Sequence, residues 1–144
     1  MWIDPSSVDG YASPYMPRIS QKILSDVRGF VIHGAHTGRT LGYPTANLST
    51  HYFRNHNVPK GVYAGWATIG NKTYMAAVVI GVDEKLEVHL IGFQSQIYGR
   101  WLRVKLVVRL RNLTRFTSRQ ALINQIARDV KGARRHLATS RAAK

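Results

Sequence analysis

A glycine-rich stretch over residues 34–47 has the composition of a loop that binds an anion. Glycines permit positive φ and a close approach of the backbone to a ligand, so successive N–H groups can point at a phosphate. Arg39 adds a positive charge within the stretch. The spacing is not that of a Walker A loop, because three residues separate the first two glycines and Pro44 prevents a helix directly afterwards. We therefore expect a phosphate-binding loop that returns to extended chain.

Thr45 and Asn47 follow this loop and offer two oxygen ligands. In extended chain, residues i and i+2 lie on the same side, so their side chains would converge. Mg²⁺ takes oxygen ligands and keeps much of its coordination as water and substrate phosphate, so two neutral protein oxygens would suffice. The alternative is a glycine-rich hairpin in which both side chains only satisfy their own backbone.

Glu87 lies in a segment, 86–90, in which apolar and polar residues alternate. Leu86, Val88 and Leu90 share one face of a strand, and Glu87 and His89 share the other. If the apolar face belongs to the core, the carboxylate points either to solvent or into a site. A plain solvent-facing glutamate is the alternative at this stage.

Short apolar segments bounded by turn residues must position these groups. They predict strands over 27–33, 61–69, 72–81, 86–93 and 101–110, with a hairpin signal at Gly70-Asn71. This pattern favours an antiparallel barrel or sandwich. A last segment predicts a helix that begins after Thr117 or Ser118 and covers an open side of the barrel. Its apolar stripe consists of Leu122, Ile126, Val130, Ala133 and Leu137.

The composition indicates one domain with its own core, since the chain has 144 residues and 44% of them are hydrophobic. There is no cysteine, which excludes disulfides and thiolate metal sites. The sequence shows neither a signal peptide nor an apolar run of membrane-spanning length, so we expect a cytoplasmic location and no membrane partner. The net charge of +14 fits either nucleic-acid binding or the steering of polyanionic small substrates.

The string Gly-x-x-x-Gly-Arg-x-Leu-Gly-x-Pro-Thr-Ala-Asn, over residues 34–47, resembles the signature of the riboflavin kinase family. That family includes the kinase module of bacterial bifunctional FAD synthetases. The resemblance covers residues 28–137 and includes Phe-x-Ser-x-x-x-Leu-x-x-x-Ile-x-x-Asp over 116–129. It implies a six-stranded antiparallel, Greek-key-like β-barrel with a C-terminal α-helix. We accordingly expect an irregular arm over 1–26, the barrel domain over 27–138 and a basic tail over 139–144.

The resemblance also implies transfer of the γ-phosphoryl group of ATP to the 5′-hydroxyl of riboflavin, which gives FMN and ADP. Glu87, in a Leu-Glu-x-His segment typical of the family, would be the general base. Thr45 and Asn47 would hold Mg²⁺ or another divalent cation. The implied nucleotide-side residues are Gly34, Arg39, Gly42, Thr45, Asn47, Leu90, Gly92 and Tyr98, and the implied flavin-side residues are Arg111, Thr114 and Phe116.

Two features depart from the family pattern: a connection of only a few residues before Leu86, and a leucine at position 113. They leave open a catalytically weak flavin- or nucleotide-binding module of the same fold. A basic RNA-binding barrel is a further alternative, but the aromatic residues do not cluster as a stacking platform on one strand pair. We therefore expect small-molecule substrates, no nucleic-acid partner despite the charge, and no obligate protein partner.

Overall fold

Six antiparallel strands close into a barrel in the computed structural model, which describes residues 22–32, 45–49, 58–81, 85–93 and 95–139. The strands are β1 (Lys22–Ile32), β2 (Ala46–Leu48), β3 (Gly61–Ile69), β4 (Lys72–Ile80), β5 (Leu86–Leu90) and β6 (Trp101–Arg111). Around the barrel their order is β1-β2-β5-β4-β3-β6, and β6 pairs with β1 to close it. The predicted six-stranded antiparallel barrel with a C-terminal helix is confirmed.

Two strand boundaries differ from the prediction by more than one residue. β1 begins at Lys22, five residues before the predicted start at 27, because the eleven-residue β6 offers backbone partners as far as Val108. β5 ends at Leu90 instead of 93, since Ile91 and Gly92 form a turn. Gly92 has a φ of 83°, a conformation that a side chain disfavours and that ends the strand.

The interior of the barrel is filled by alternate residues of the six strands. On β5 these are Leu86, Val88 and Leu90, which is the face that the alternation predicted to be core. Their exposed fractions are 5% or less. It follows that the intervening residues of β5 lie on the outer surface of the barrel, where loops and the helix can meet them.

Helix α1 (Arg119–Thr139) packs on the outer surface of β3, β4 and β6. Ser118 caps it, because its Oγ accepts a hydrogen bond from the N–H of Ala121 at 3.1 Å. All five residues of the predicted stripe are buried or half-buried. The prediction that the helix covers an open side was wrong, since the pairing of β1 with β6 leaves no open side. Within the described residues, no helix is both long and apolar enough to cross a membrane.

The distribution of aromatic residues also differs from the prediction. Phe30 of β1 lies directly opposite Trp101 of β6, and their ring centroids are 4.8 Å apart in an edge-to-face arrangement. Both residues are exposed, at 45% and 38%. The strand pair β1–β6 therefore carries two opposed, exposed aromatic rings, which the sequence pattern did not indicate.

Candidate active site on the outer face of the barrel

Asn47 and Glu87 lie directly opposite each other on the neighbouring strands β2 and β5. Residues opposed in this way point to the same side of a sheet, with Cβ atoms roughly 4.5–5.5 Å apart. That side is the outer face, because Ala46, Leu48 and their neighbours on β5 fill the interior. The barrel thus places the predicted base beside the predicted metal ligand, although 39 residues separate them in the sequence.

Burial excludes a plain solvent-facing glutamate at position 87. Glu87 is 1% exposed, and Asn47 and His89 on the same outer face are each 9% exposed. The cationic neighbour of the carboxylate is Lys85, whose Nζ lies 3.8 Å from Oε1. A carboxylate withdrawn from water and close to a proton donor of a bound substrate can accept a proton without competition from bulk solvent.

The two residues that flank the short connection before β5 are hydrogen-bonded to each other. The N–H of Gly81, directly after β4, donates to the carbonyl oxygen of Lys85, directly before β5, at 2.7 Å. Lys85 lies next to the Glu87 carboxylate.

The oxygen ligands available here suit a hard cation. Asn47 contributes an amide oxygen within β2, and the half-buried Thr45 immediately precedes the strand with a hydroxyl. Among the described residues, no group of three or more His, Cys, Asp or Glu side chains could hold a metal ion. Thr45 and Asn47, together with water and substrate phosphate, would be a donor set that Mg²⁺ accepts.

The described residues of the predicted nucleotide side do not form one cluster of side chains. Leu90 points into the barrel and is 5% exposed, so a contact from it would come from its backbone. Gly92 is exposed, and a Cβ placed there would meet nothing within 4 Å. Tyr98 is 49% exposed and precedes Gly99, whose N–H donates to the carbonyl of Val31 at 2.9 Å. Gly34, Arg39 and Gly42 lie outside the described residues.

Arg111, the first predicted flavin-side residue, belongs to the same transverse row as Glu87. The row runs from Glu87 through Val79 and Val62 to Arg111, which is three strand spacings, or about 14 Å. Val79 and Val62 pack under α1, so the helix covers the middle of the row. The two predicted functional ends lie on either side of the helix-covered segment.

The Arg111 guanidinium makes a bidentate ion pair with a buried residue of α1. Its Nε and Nη2 donate to the two carboxylate oxygens of Asp129, each at 2.8 Å, and Nη1 donates to the carbonyl of Asn112 at 2.9 Å. The guanidinium carbon lies 5.8 Å from the ring centroid of Phe116. Phe116 itself is half-buried against the helix cluster, and Thr114 is exposed. The structure therefore brings Arg111 and Phe116 together. Arg111 is paired with Asp129, and Phe116 packs against the helix cluster.

Asp129 and Lys85 were not predicted to contribute to the site. A signal for Asp129 was present, since the chain has only seven acidic residues and this one directly precedes Val130 of the apolar stripe. An acidic residue at the margin of a buried helix face requires a cationic partner. The partner could not be identified without the pairing of α1 with β6, because the sequence offers 21 lysines and arginines.

Comparisons with known proteins agree with this architecture. The family model "Flavokinase: Riboflavin kinase" matches residues 23–137. The chain is 39% identical over 120 residues to the bifunctional riboflavin kinase/FMN adenylyltransferase of Escherichia coli K12, covering 75% of this chain and 36% of that protein. It is 31% identical over 115 residues to the RNA-binding riboflavin kinase RibR of Bacillus subtilis, covering 74% of this chain and 49% of that protein.

Solved structures show the same fold. The riboflavin kinase of Trypanosoma brucei superposes with a TM-score of 0.57 at 26% identity, over 78% of this chain and 79% of that one. A structure described as a macrolide-efflux protein from Streptococcus pneumoniae gives a TM-score of 0.68 at 34% identity, over 76% of this chain and 38% of that one.

The chain spans about a third of the length of the bifunctional relatives it matches. The family model nevertheless covers almost all of the barrel and the helix. The closed barrel, the helix on its outer face and the match over residues 23–137 together show that this chain belongs to the riboflavin kinase family.

Proposed function

We propose that this chain is an ATP-dependent riboflavin 5′-phosphotransferase, which converts riboflavin and ATP to FMN and ADP. The single observation that carries the proposal is the buried pair formed by Glu87 and Asn47 on adjacent strands. Membership of the riboflavin kinase family supports the identity of the substrates.

Glu87 is the proposed general base. Phosphoryl transfer depends mainly on positioning and charge neutralisation, with one group needed to accept the proton of the attacking hydroxyl. Glu87 lies on the outer face of β5, which is paired on one side with β2 and on the other with β4. Its backbone is consequently held by hydrogen bonds of the sheet, which supports the positioning that acceptance of the ribityl 5′-hydroxyl proton requires.

Thr45 and Asn47 would hold Mg²⁺, which neutralises phosphate charge and orients the phosphoryl group when bound. Arg39 and the backbone of the loop from Gly34 to Gly42 are the proposed cradle for the remaining phosphate charge.

On the flavin side, Arg111, Thr114 and Phe116 are the proposed contacts. The Arg111 guanidinium carbon lies 5.8 Å from the centroid of the Phe116 ring, so a cation and an aromatic ring are both available to an isoalloxazine ring. Asp129 fixes the guanidinium plane through its two hydrogen bonds. Leu90, Gly92 and Tyr98 are the proposed contacts of the nucleotide.

The test is riboflavin-dependent ADP release from Mg·ATP, with Glu87→Gln compared with the unmutated protein. The amide keeps the size of the side chain but accepts a proton poorly, so we expect a fall of about 10²-fold or more in the rate. Asp26→Asn is the matched control, because Asp26 is an exposed acidic residue of β1 outside the proposed site. The control should retain the full rate.

Flavin binding separates this proposal from the binding-module alternative. If the unmutated protein quenches FMN fluorescence saturably yet releases no ADP on addition of riboflavin, the chain binds flavin without turning it over. That result would contradict the kinase proposal and would implicate the short turn between Gly81 and Lys85.

A further inference from the structure

The outer surface of the strand pair β1–β6 carries exposed aromatic and basic side chains in register. We define the basic sheet face as Arg28, Phe30, Trp101, Arg103 and Lys105, all of which are exposed. Phe30 is opposite Trp101, and Arg28 is opposite Arg103. β1 pairs directly with β2, but the five side chains of this face are not among those that the proposed kinase site uses.

Two arginines directly opposite each other are an unfavourable arrangement for a sheet. Like charges in opposed positions destabilise strand pairing. The row that contains Arg28 and Arg103 continues into β3 and β4 with Thr68 and Thr73, so within the described residues it contains no acidic side chain. An anion bound from outside would neutralise the pair.

The next row along the strands deepens the surface into a groove. This groove has a volume of about 390 Å³, within the range of roughly 300–1,000 Å³ typical of ligand pockets. Its lining consists of Asp26, Trp66, Thr68, Thr73, Arg103 and Lys105. Lys105 is opposite Asp26, so the acidic residue balances one of the cations of the groove. The hydroxyls of Thr68 and Thr73, 3.1 Å apart, supply hydrogen-bonding groups beside Arg103.

The positive charge extends beyond these rows. Arg100, which directly precedes β6, is exposed and its guanidinium reaches the turn at Gly70, where it lies 3.4 Å from the position of a Cβ. Alternate residues of a strand are about 6.8 Å apart, so Trp101, Arg103 and Lys105 form a regular stripe along β6. The stripe presents an aromatic ring and then two cations to one partner.

We propose that the basic sheet face binds single-stranded nucleic acid, with bases stacked on Phe30 and Trp101 and phosphates held by Arg28, Arg103 and Lys105. Exposed aromatic rings on a sheet offer stacking surfaces that every unpaired base can use, and basic residues beside them follow the phosphate backbone. A duplex keeps its bases stacked inside, so the aromatic pair adds nothing to duplex binding. RNA and DNA share the required chemistry, and the experiment distinguishes them.

The first measurement is fluorescence anisotropy of labelled, uridine-rich RNA of about 12 nucleotides, a length within the site size of small nucleic-acid-binding barrels. The matching single-stranded DNA and the RNA duplex are titrated alongside. We expect both single strands to bind at least about tenfold more tightly than the duplex. The double variant Phe30→Leu/Trp101→Leu should weaken single-strand binding by about tenfold or more, with the salt dependence unchanged.

The charge contribution is tested by a salt series between about 50 and 200 mM. Arg28→Gln/Arg103→Gln should reduce the slope of log affinity against log salt by about 1.4, since each phosphate contact with a single strand contributes about 0.7. Arg134→Gln/Arg135→Gln removes the same charge from exposed positions on α1 and is the matched control. Circular dichroism and thermal unfolding verify that each variant folds. The variant Arg28→Gln/Arg103→Gln, which lacks the opposed like charges, should unfold at an equal or higher temperature than the unmutated protein.

Four outcomes would overturn the proposal. They are the absence of binding, equal affinity for single strand and duplex, equal losses in the α1 control and the sheet variants, and no effect of the aromatic substitutions. The second and third would assign the interaction to net charge alone. Self-association that the aromatic double variant abolishes, with no binding of nucleic acid, would instead identify the face as a contact between copies of the chain.

Discussion

At the scale of single residues, the main feature of the candidate site is the opposition of Asn47 and Glu87 on β2 and β5. Asn47 and Glu87 are opposed on two strands, so the ladder sets the separation of their Cβ atoms. Both are buried, so water competes weakly with a substrate for either group. Strand pairing would thus place the proposed proton acceptor beside the proposed cation ligand.

Asn47→Ala should raise the Mg²⁺ concentration needed for half-maximal ADP release by about tenfold or more, because one of two proposed protein oxygens is lost. The rate at saturating Mg²⁺ should change less than in Glu87→Gln, and chelation should abolish activity in both proteins. The measurement is a Mg²⁺ titration at fixed ATP and riboflavin. An unchanged Mg²⁺ requirement would remove Asn47 from the set of metal ligands.

Tyr63 makes stability depend on alkaline pH. Its ring is fully buried inside the barrel, and burial raises the pKa of the phenol, which the nearby Arg109 partly opposes. The hydroxyl donates to the carbonyl of Pro59. A raised folded pKa means that the neutral phenol is favoured in the fold, so its contribution is complete below about pH 10 and is lost as the pH rises through the folded value.

Tyr63→Phe should therefore be less stable than the unmutated protein at pH 8, by about 1 kcal/mol for the lost hydrogen bond. The difference should shrink as the pH rises above about 10, because only the tyrosine protein must bury an ionisable phenol. Urea denaturation at several pH values measures it. A difference that stays constant up to pH 11 would contradict this account.

At the scale of elements, helix α1 is fixed to the barrel by one ion pair as well as by apolar packing. The Arg111 guanidinium spans from the end of β6 to Asp129 on the buried side of α1. Gln125 also donates to Asp129, at 3.0 Å. The carboxylate is 2% exposed, so the pair fixes how the helix sits relative to the proposed flavin side.

Asp129→Asn should lower the free energy of unfolding by about 3 kcal/mol, because it leaves a largely buried guanidinium without its counter-charge. Arg128→Gln on the same helix is the control, since its hydrogen bond to Gln125 is exposed and should matter by less than about 0.5 kcal/mol. If Arg111 also contacts flavin, Asp129→Asn should raise the KM for riboflavin more than the KM for ATP. Equal free energies of unfolding for Asp129→Asn and Arg128→Gln would show that the Arg111–Asp129 ion pair does not stabilise the packing of α1 on the barrel.

Most elements could be predicted from the sequence, and the exceptions have physical causes. The hairpin of β3 and β4 and the helix were predicted because turn residues, alternation and capping act within a few residues. β2 was expected only as extended chain, since a three-residue strand has no periodicity of its own. The opposition of Asn47 and Glu87, and the choice of Arg111 as the partner of Asp129, depend on register between distant segments, which local patterns do not determine.

At the scale of the whole molecule, the barrel is held unevenly. β3 and β4 are paired along nine residues each, from Gly61 opposite Ile80 to Ile69 opposite Lys72. The described pairing of β1 with β2 consists of Val31 with Leu48 and Ile32 with Asn47. Within the described residues, the seam formed by β1, β2 and β5 is therefore the shortest part of the closed sheet, and it carries Asn47 and Glu87.

Amide hydrogen exchange should show this unevenness. We expect the amides of β3, β4 and the centre of β6 to exchange at the rate of global unfolding, and the amides of β2 to exchange faster by local opening. Adding Mg·ADP and FMN should slow exchange in β2 more than in β3. Uniform exchange across all six strands would contradict a weak seam.

The short strand β2 has a consequence for the lifetime of the protein. Because the proposed cation ligands lie in or directly before β2, bound nucleotide would stabilise the pairing of β2 in the barrel, adding about 2.7 kcal/mol at a concentration one hundred times Kd. Proteases cleave chains that open, so we expect the unliganded chain to be digested sooner than the occupied one. The abundance of such a protein would then follow the supply of its own substrates, without any regulator of its synthesis.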